Sequence, residues 1–175
     1  LAVREQLAQH GLQHYQPHWI TLSGLSHTDY PSPSVWQEWA YAGVPSAVVV
    51  KPLEQRASRG VSFVHDESDW EHAMDTATQY GDTVLVEERF FGTEHSAEII
   101  FDQTGVVIFR NIVDRRFTYA EGHAIETGHV NPTILPKEIQ ARVYRMVELA
   151  AWALSVQWGP FKVDVIVTLD GPKIL

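Results

Sequence analysis

Lys51 closes the apolar run Val48-Val49-Val50 and leads directly into Pro52. A polar loop with Arg56, Ser58, Arg59 and Gly60 follows, and apolar residues resume from Val61 to Val64. An ammonium at the end of a rigid strand, beside a hydroxyl, a glycine and two guanidinium groups, is a set of donors suited to a polyphosphate. The loop is not a Walker A loop, because the chain holds no G-x-x-x-x-G-K-[ST]. The same residues read equally as a solvated surface hairpin with a lysine at a strand end.

Three further places carry groups that such a cradle needs. The stretch E-E-R-F-F-G-T-E, residues 87–94, ends a strand and offers Glu87, Glu88 and Phe90 to a flat adenine, and Glu94 to vicinal hydroxyls. A polar segment holds Arg115, Arg116, His123 and His129. Arg115 and His129 are the candidates there for contact with a substrate carboxylate or an acyl phosphate, since a planar guanidinium suits either anion. Asp164 stands beside Lys162 on a strand face and supplies the carboxylate oxygen that a hard divalent cation requires. Each has a plainer alternative. Glu94 fits an edge-strand charge that blocks aggregation, Asp164 fits one half of an ion pair with Lys162, and the loop arginines fit a solvated surface. Nothing near His129 has zinc-ligand spacing, and the other histidines suggest no role.

Composition bounds these readings. The chain has 175 residues, enough for one domain or two small lobes, and its 45% hydrophobic content permits a proper core. A net charge of −9, with 13 Lys and Arg, argues against nucleic acid as a partner. Without cysteine there are no disulfides, thiolate metal sites or cysteine nucleophiles. No apolar run has the length of a membrane span, and no signal-peptide pattern occurs, so the cytoplasm is the expected location and no membrane partner is expected. The chain has no initiating Met, begins at Leu1 inside an apparent helix, and ends at Leu175 in a strand barely begun, which reads as a piece of a longer protein.

The elements that must position these groups alternate along the chain. Residues 1–10 are helix formers stopped by Gly11, and a short strand is predicted over His18 to Leu22. A capping box at Ser34 starts a short helix through Trp36, Trp39 and Ala40. Strands on either side of the Lys51 loop come next. A second S-x-x-E box at Ser68 then opens a helix with Trp70, Ala73, Met74, Ala77 and Tyr80 at helical spacing. Strands are predicted over residues 83–87, 94–101, 106–113 and 161–168, with a long helix after Pro136. Period two puts Glu94, Ser96 and Glu98 on one face of their strand, and Lys162, Asp164, Ile166 and Thr168 on one face of theirs. Residues 114–133 read as a long, irregular polar connection of the kind that is often functional. The sum is an α+β chain with mostly antiparallel sheets in two lobes.

With V-V-V-K-P (48–52), S-R-G-V (58–61), L-V-E-E-R-F-F-G-T-E-H-S (85–96), E-T-G-H-V-N-P (126–132) and G-P-F-K-V-D-V (159–165) in this order, the chain resembles the ATP-grasp superfamily in its carboxylate–amine/thiol ligase branch. The resemblance runs nearly the whole length. It implies two α+β lobes enclosing an ATP cleft: residues 1–45 leading into the fold, 46–92 as the small lobe with the lid, and 93–175 as the large lobe. It implies ATP and Mg²⁺ (or Mn²⁺) as cofactors. Lys51 takes the α- and β-phosphates, residues 54–60 form the lid with Ser58, Arg59 and Gly60, and Glu87, Glu88 and Phe90 lie against adenine. Glu94 accepts from the ribose, Asp164 ligates the metal, and Arg115 and His129 face the reacting groups. The implied reaction activates a small-molecule carboxylate as an acyl phosphate for attack by an amine; a nucleotide-binding module without catalysis is the alternative, and the resemblance leaves room for a homodimer. The sequence departs from the family in two places. Its lid has a single glycine, and Asp164 stands where relatives more often carry Glu. A further Glu and Asn metal pair in relatives falls on the strand after Asp170-Gly171-Pro172, about where this chain ends.

Overall fold

The computed structural model describes residues 1–25, 30–32, 47–54, 59–120 and 123–175. The helix expected through Trp36 and Trp39, most of the loop over 54–60 including Arg56 and Ser58, and the side chain of His123 lie outside the described residues. The chain forms two compact units, one of residues 18–89 and 119–123, the other of residues 1–17, 90–118 and 124–175.

Among the described residues, the first unit is a four-stranded sheet covered by one helix. Its strands are β1 (Trp19–Ser23), β2 (Val48–Pro52), β3 (Ser62–Val64) and β4 (Thr83–Glu88), in the order β1-β4-β2-β3, with every pairing antiparallel. Between β3 and β4 runs helix α2 (Trp70–Thr78), with α1 reserved for the helix at the start of the chain (Ala2–Gln9). Trp70, Ala73, Met74 and Ala77 of α2 bury against Val48, Val50, Val64, Val84 and Val86. Burial of each large apolar side chain contributes about 1.5–3 kcal/mol. The expected S-x-x-E box at Ser68 does not cap this helix. Asp66 accepts instead from the Ser68 backbone N–H at 2.9 Å and starts a single 3-10 turn, Glu67–Asp69, that feeds α2. Ser68 Oγ is drawn to Asp66 as well, at 2.5 Å, so its hydroxyl is not free to bond forward.

The second unit is a five-stranded sheet in the order β7-β6-β5-β8-β9. The strands are β5 (Thr93–Phe101), β6 (Val107–Ala120), β7 (His123–Val130), β8 (Gly159–Thr168) and β9 (Gly171–Ile174), and α3 (Lys137–Ala153) joins β7 to β8. β5 lies antiparallel between β6 and β8. One face carries the core: Ala97, Ile99, Ile112, Val163, Val165 and Ile174 pack with Val143, Met146, Val147, Ala150 and Ala151 of α3 and with Leu7 of α1. Arg4, 7% exposed, reaches from α1 to the Ile174 carbonyl at 3.3 Å. Among the described residues no helix is long and apolar enough to cross a membrane.

Residues 114–133 are not an irregular connection. β6 continues to Ala120 and β7 occupies His123–Val130, so most of this segment is sheet. Its polar side chains mark a solvated sheet face, which local composition does not separate from a loop. Asp102, Thr104 and Gly105 make the β5–β6 turn, with the Asp102 carboxylate accepting from the Thr104 and Val106 N–H groups at 2.8 and 3.0 Å.

Gly92, just before β5, lies against β8: an added Cβ there would stand 2.1 Å from the Val167 carbonyl oxygen. Gly92→Ala is therefore expected to lower stability by about 1–3 kcal/mol. Urea denaturation measures this, and an unchanged midpoint would show that the two backbones are further apart.

Candidate functional site

In the unit of residues 18–89, the sheet face turned away from α2 carries Lys51 and Glu87. Val49 pairs with Glu87 and Lys51 with Leu85, so Lys51 and Glu87 are diagonal neighbours on one face. Lys51 Nζ lies 2.5 Å from Glu87 Oε2, and Glu87 is only 5% exposed. The sequence offered these two residues separately, one for phosphate and one for adenine; the register makes them an ion pair. A carboxylate so buried requires a partner, and an ammonium with three donors can hold it and an anion together. Glu88 points the other way, and its Oε2 accepts from the His18 N–H at 3.2 Å while its own N–H donates to the His18 carbonyl at 2.8 Å. Its carboxylate thus fastens the start of β1. Arg59 is exposed. Gly60 has φ of 73°, and a Cβ there would meet Tyr80 at 2.7 Å, so this glycine is required by the fold.

In the other unit, the sheet face opposite α3 collects the remaining candidates. Ser96 pairs with Asp164 and Glu98 with Lys162, which places these four side chains on the face that also bears Glu94. Arg115 extends from β6 into their midst. Its Nε and Nη2 donate to Glu126 Oε1 and Oε2, each at 3.1 Å. Its Nη1 lies 3.1 Å from Glu94 Oε2 and 3.4 Å from Asp164 Oδ2. The guanidinium carbon stands 4.8 Å from the centre of the Phe117 ring. His129 Nε2 meets Glu126 Oε1 at 2.6 Å. Ser96 Oγ donates to Asp164 Oδ1 at 3.0 Å, whereas Lys162 Nζ stays 4.0 Å away. Asp164 is thus held by Ser96 and Arg115 more closely than by Lys162. Phe90, offered for adenine, has Lys173 Nζ 5.5 Å from its ring centre.

The charges in this cluster do not cancel evenly. Hydrogen bonding to Arg115 pulls the Glu126 carboxyl down to about 2. Glu94 moves the opposite way: burial raises it, Arg115 pulls it back, and the negative charges of Asp164 and Glu126 push it up again. Arg115 loses stability of its charge to burial but gains more from the carboxylates around it, and its pKa is raised. Three acids share one guanidinium, so the face carries surplus negative charge that a further cation can neutralise. Among the described residues no three acidic or histidine side chains converge as a self-sufficient metal site. Asp164 fits a Mg²⁺ that draws its other ligands from phosphate and water, which is how that ion is usually bound.

Two features escaped the sequence. Glu126 lies within E-T-G-H, but nothing local shows that it grips Arg115; the opposite charges on neighbouring strands were the one available signal. His95 sits on the core face of β5, 1% exposed. Its Nδ1 faces Asp114 Oδ1 at 2.9 Å and its Nε2 faces Thr93 Oγ1 at 2.7 Å. The carboxylate accepts only, so Nδ1 carries the proton and Nε2 accepts from Thr93. Burial lowers the His95 pKa against the pull of Asp114, so this contact is a hydrogen bond of a neutral imidazole rather than an ion pair. Asp114 also takes the Thr133 hydroxyl and, at 3.0 Å, the Ile134 N–H, fixing the turn that follows β7.

Comparison with known proteins bears on the family and the fold. A family model described as an ATP-grasp domain matches residues 44–175. The D-alanine–D-alanine ligase of Geotalea uraniireducens is 35% identical over 128 residues, which cover 71% of this chain and 40% of that protein. The corresponding ligase of Geobacter sulfurreducens is 33% identical over 128 residues, covering 71% of this chain and 39% of that protein. The chain thus spans less than half the length of these curated relatives. Among solved structures, the VanG D-Ala:D-Ser ligase from Enterococcus faecalis superimposes with a TM-score of 0.75 at 17% identity, over 98% of this chain and 48% of that one. A Bacillus anthracis D-alanine–D-alanine ligase complexed with ATP gives 0.69 at 22% identity, over 99% and 51%. At these identities the superpositions show a shared fold.

The depressed Glu126 pKa has a pH signature. The carboxylate is held below its unfolded value, so its contribution is full above the unfolded pKa of 4.5 and is lost as pH falls toward about 2. Urea-unfolding stability of the parent should therefore drop more steeply between those limits than that of Glu126→Gln. Equal slopes would show that the Arg115 contact does not hold the proton off.

Proposed function

The chain belongs to the ATP-grasp family, and from that premise we propose that it is the ATP-binding portion of a ligase joining a small-molecule carboxylate to an amine. The supporting observation is the placement of Arg115 Nη1 between Glu94 and Asp164, at 3.1 and 3.4 Å. One cation is held against two acids on an open sheet face, where phosphate and metal chemistry needs both signs of charge.

In this reading a carboxylate oxygen attacks the γ-phosphorus of ATP and ADP leaves. The amine nitrogen then attacks the carbonyl carbon of the acyl phosphate, phosphate leaves, and the amine gives up a proton to solvent. Phosphoryl transfer asks little covalent chemistry of a protein, so the residues position and neutralise. Lys51, kept in place by Glu87, holds the phosphates that are not transferred. Glu87 and Phe90 border adenine, and Arg59 and Gly60 serve the phosphates. Glu88 contributes through its grip on β1. Glu94 accepts from the ribose hydroxyls. Asp164, oriented by Ser96, would hold Mg²⁺ or Mn²⁺, which neutralises phosphate charge when bound. Arg115 stabilises the charge that develops on the transferred group, and His129 keeps Glu126 in register with it. The substrates are a small carboxylate and a small amine, of which the two D-alanines of the named relatives are one instance.

Calorimetry with ATP tests this directly. Lys51→Ala should weaken ATP binding at least about tenfold, the effect of losing one charge-assisted contact. In Asp164→Asn, binding should lose most of its dependence on Mg²⁺ while binding without Mg²⁺ persists. ATP bound as tightly by Lys51→Ala as by the parent would refute the phosphate assignment.

A further inference from the structure

Arg115 is held unequally along its two edges. Nε and Nη2 form one edge of the guanidinium, and both donate to Glu126 at 3.1 Å in a bidentate fork. That geometry gives the strongest and most directional contact a guanidinium makes. The Phe117 ring lies 4.8 Å from the guanidinium carbon, and His129 holds Glu126 Oε1 from behind at 2.6 Å. The other edge is different. Nη1 is shared between Glu94 at 3.1 Å and Asp164 at 3.4 Å, the second beyond good hydrogen-bond length.

We propose that Glu126, backed by His129, is a positioning residue that anchors Arg115 by its Nε–Nη2 edge, so that Nη1 alone passes from the Glu94 and Asp164 carboxylates to the terminal phosphoryl group of a bound nucleotide. The inference rests on the reading of Glu94 as ribose acceptor and Asp164 as metal ligand. Both acids must release Nη1 when they take up a nucleotide and its ion. Arg115 is 15% exposed at its side chain, so a released donor is costly unless an acceptor replaces the carboxylates. A phosphoryl oxygen is such an acceptor. Without the fork the charge of Arg115 remains but its direction does not. The guanidinium is then free to rotate about its side-chain torsions, and Nη1 no longer has one direction in which to meet a phosphoryl oxygen. Glu126 therefore acts through Arg115, and its effect falls on the terminal phosphate rather than on the nucleotide as a whole.

Calorimetry of the full chain with Mg²⁺·AMP-PNP and with Mg²⁺·ADP separates these effects. Glu126→Gln is expected to weaken Mg²⁺·AMP-PNP about tenfold, the value of one charge-assisted contact, and to leave Mg²⁺·ADP within about twofold. Glu126→Asp, which keeps the carboxylate, should recover part of the loss. The Arg115 Nε–H proton, followed by NMR, should be protected from exchange in the parent with and without AMP-PNP, and exposed in Glu126→Gln. His129→Ala, at an exposed position, should move the AMP-PNP affinity in the same direction by less, and it carries the comparison if Glu126→Gln fails to fold. Equal losses for both nucleotides, or no loss for either, in a parent that binds both would overturn the inference and leave the nucleotide reading standing. A parent that binds neither nucleotide would overturn the reading, and the inference with it.

Discussion

Much of the second unit depends on the register of β5 between its two neighbours. Side chains alternate along a strand with a period of two, so the pairing decides which residues meet and on which face. Ser96 opposite Asp164 builds the open face, and His95 opposite Asp114 builds the buried one. A slip by one residue would put Glu94 and Asp164 into the core and expose Ala97, Ile99 and Val165. The apolar burial against α3 and α1 forbids that slip, because it would turn a contiguous core toward water. The polar cluster is thus held in place by the hydrophobic face behind it. The His95–Asp114 contact adds a second lock. A satisfied buried polar pair costs little, and the same pair out of register leaves both groups without partners.

The open face is organised by charge imbalance. Glu94, Glu126 and Asp164 surround one guanidinium, and Glu94 and Glu126 respond to it in opposite directions because their surroundings differ. Glu126 is exposed and doubly bonded to Arg115, so attraction dominates. Glu94 is more deeply buried and faces two other acids, so desolvation and repulsion dominate. The same arginine therefore coexists with one strongly acidic carboxyl and one raised carboxyl. A surface with this surplus is prepared for a cation or for donors such as hydroxyls.

The first unit solves a related problem with a single pair. Glu87 is nearly buried, and Lys51 removes its penalty at close range. Such pairs seldom add much net stability, because desolvation offsets attraction. Their value lies in orientation. Lys51 is pinned at the end of a valine strand that packs under α2, so its ammonium has a defined position.

The sequence by itself determined the α+β class, the strand-borne lysine, the helix over Trp70 to Ala77 and the alternation of β5 and β8, because each is a local matter of composition and period. Membership of the family was legible from five short motifs in order. The fork between Glu126 and Arg115, the joining of Lys51 to Glu87, the fastening of β1 by Glu88 and the burial of His95 on Asp114 were decided only in three dimensions. So was the continuation of β6 and β7 through a segment that reads as loop, and the packing of α1 with the C-terminal residues. Each of these depends on which strand lies beside which, and pairing across tens of residues is set by the burial of whole faces, which no short stretch of residues records.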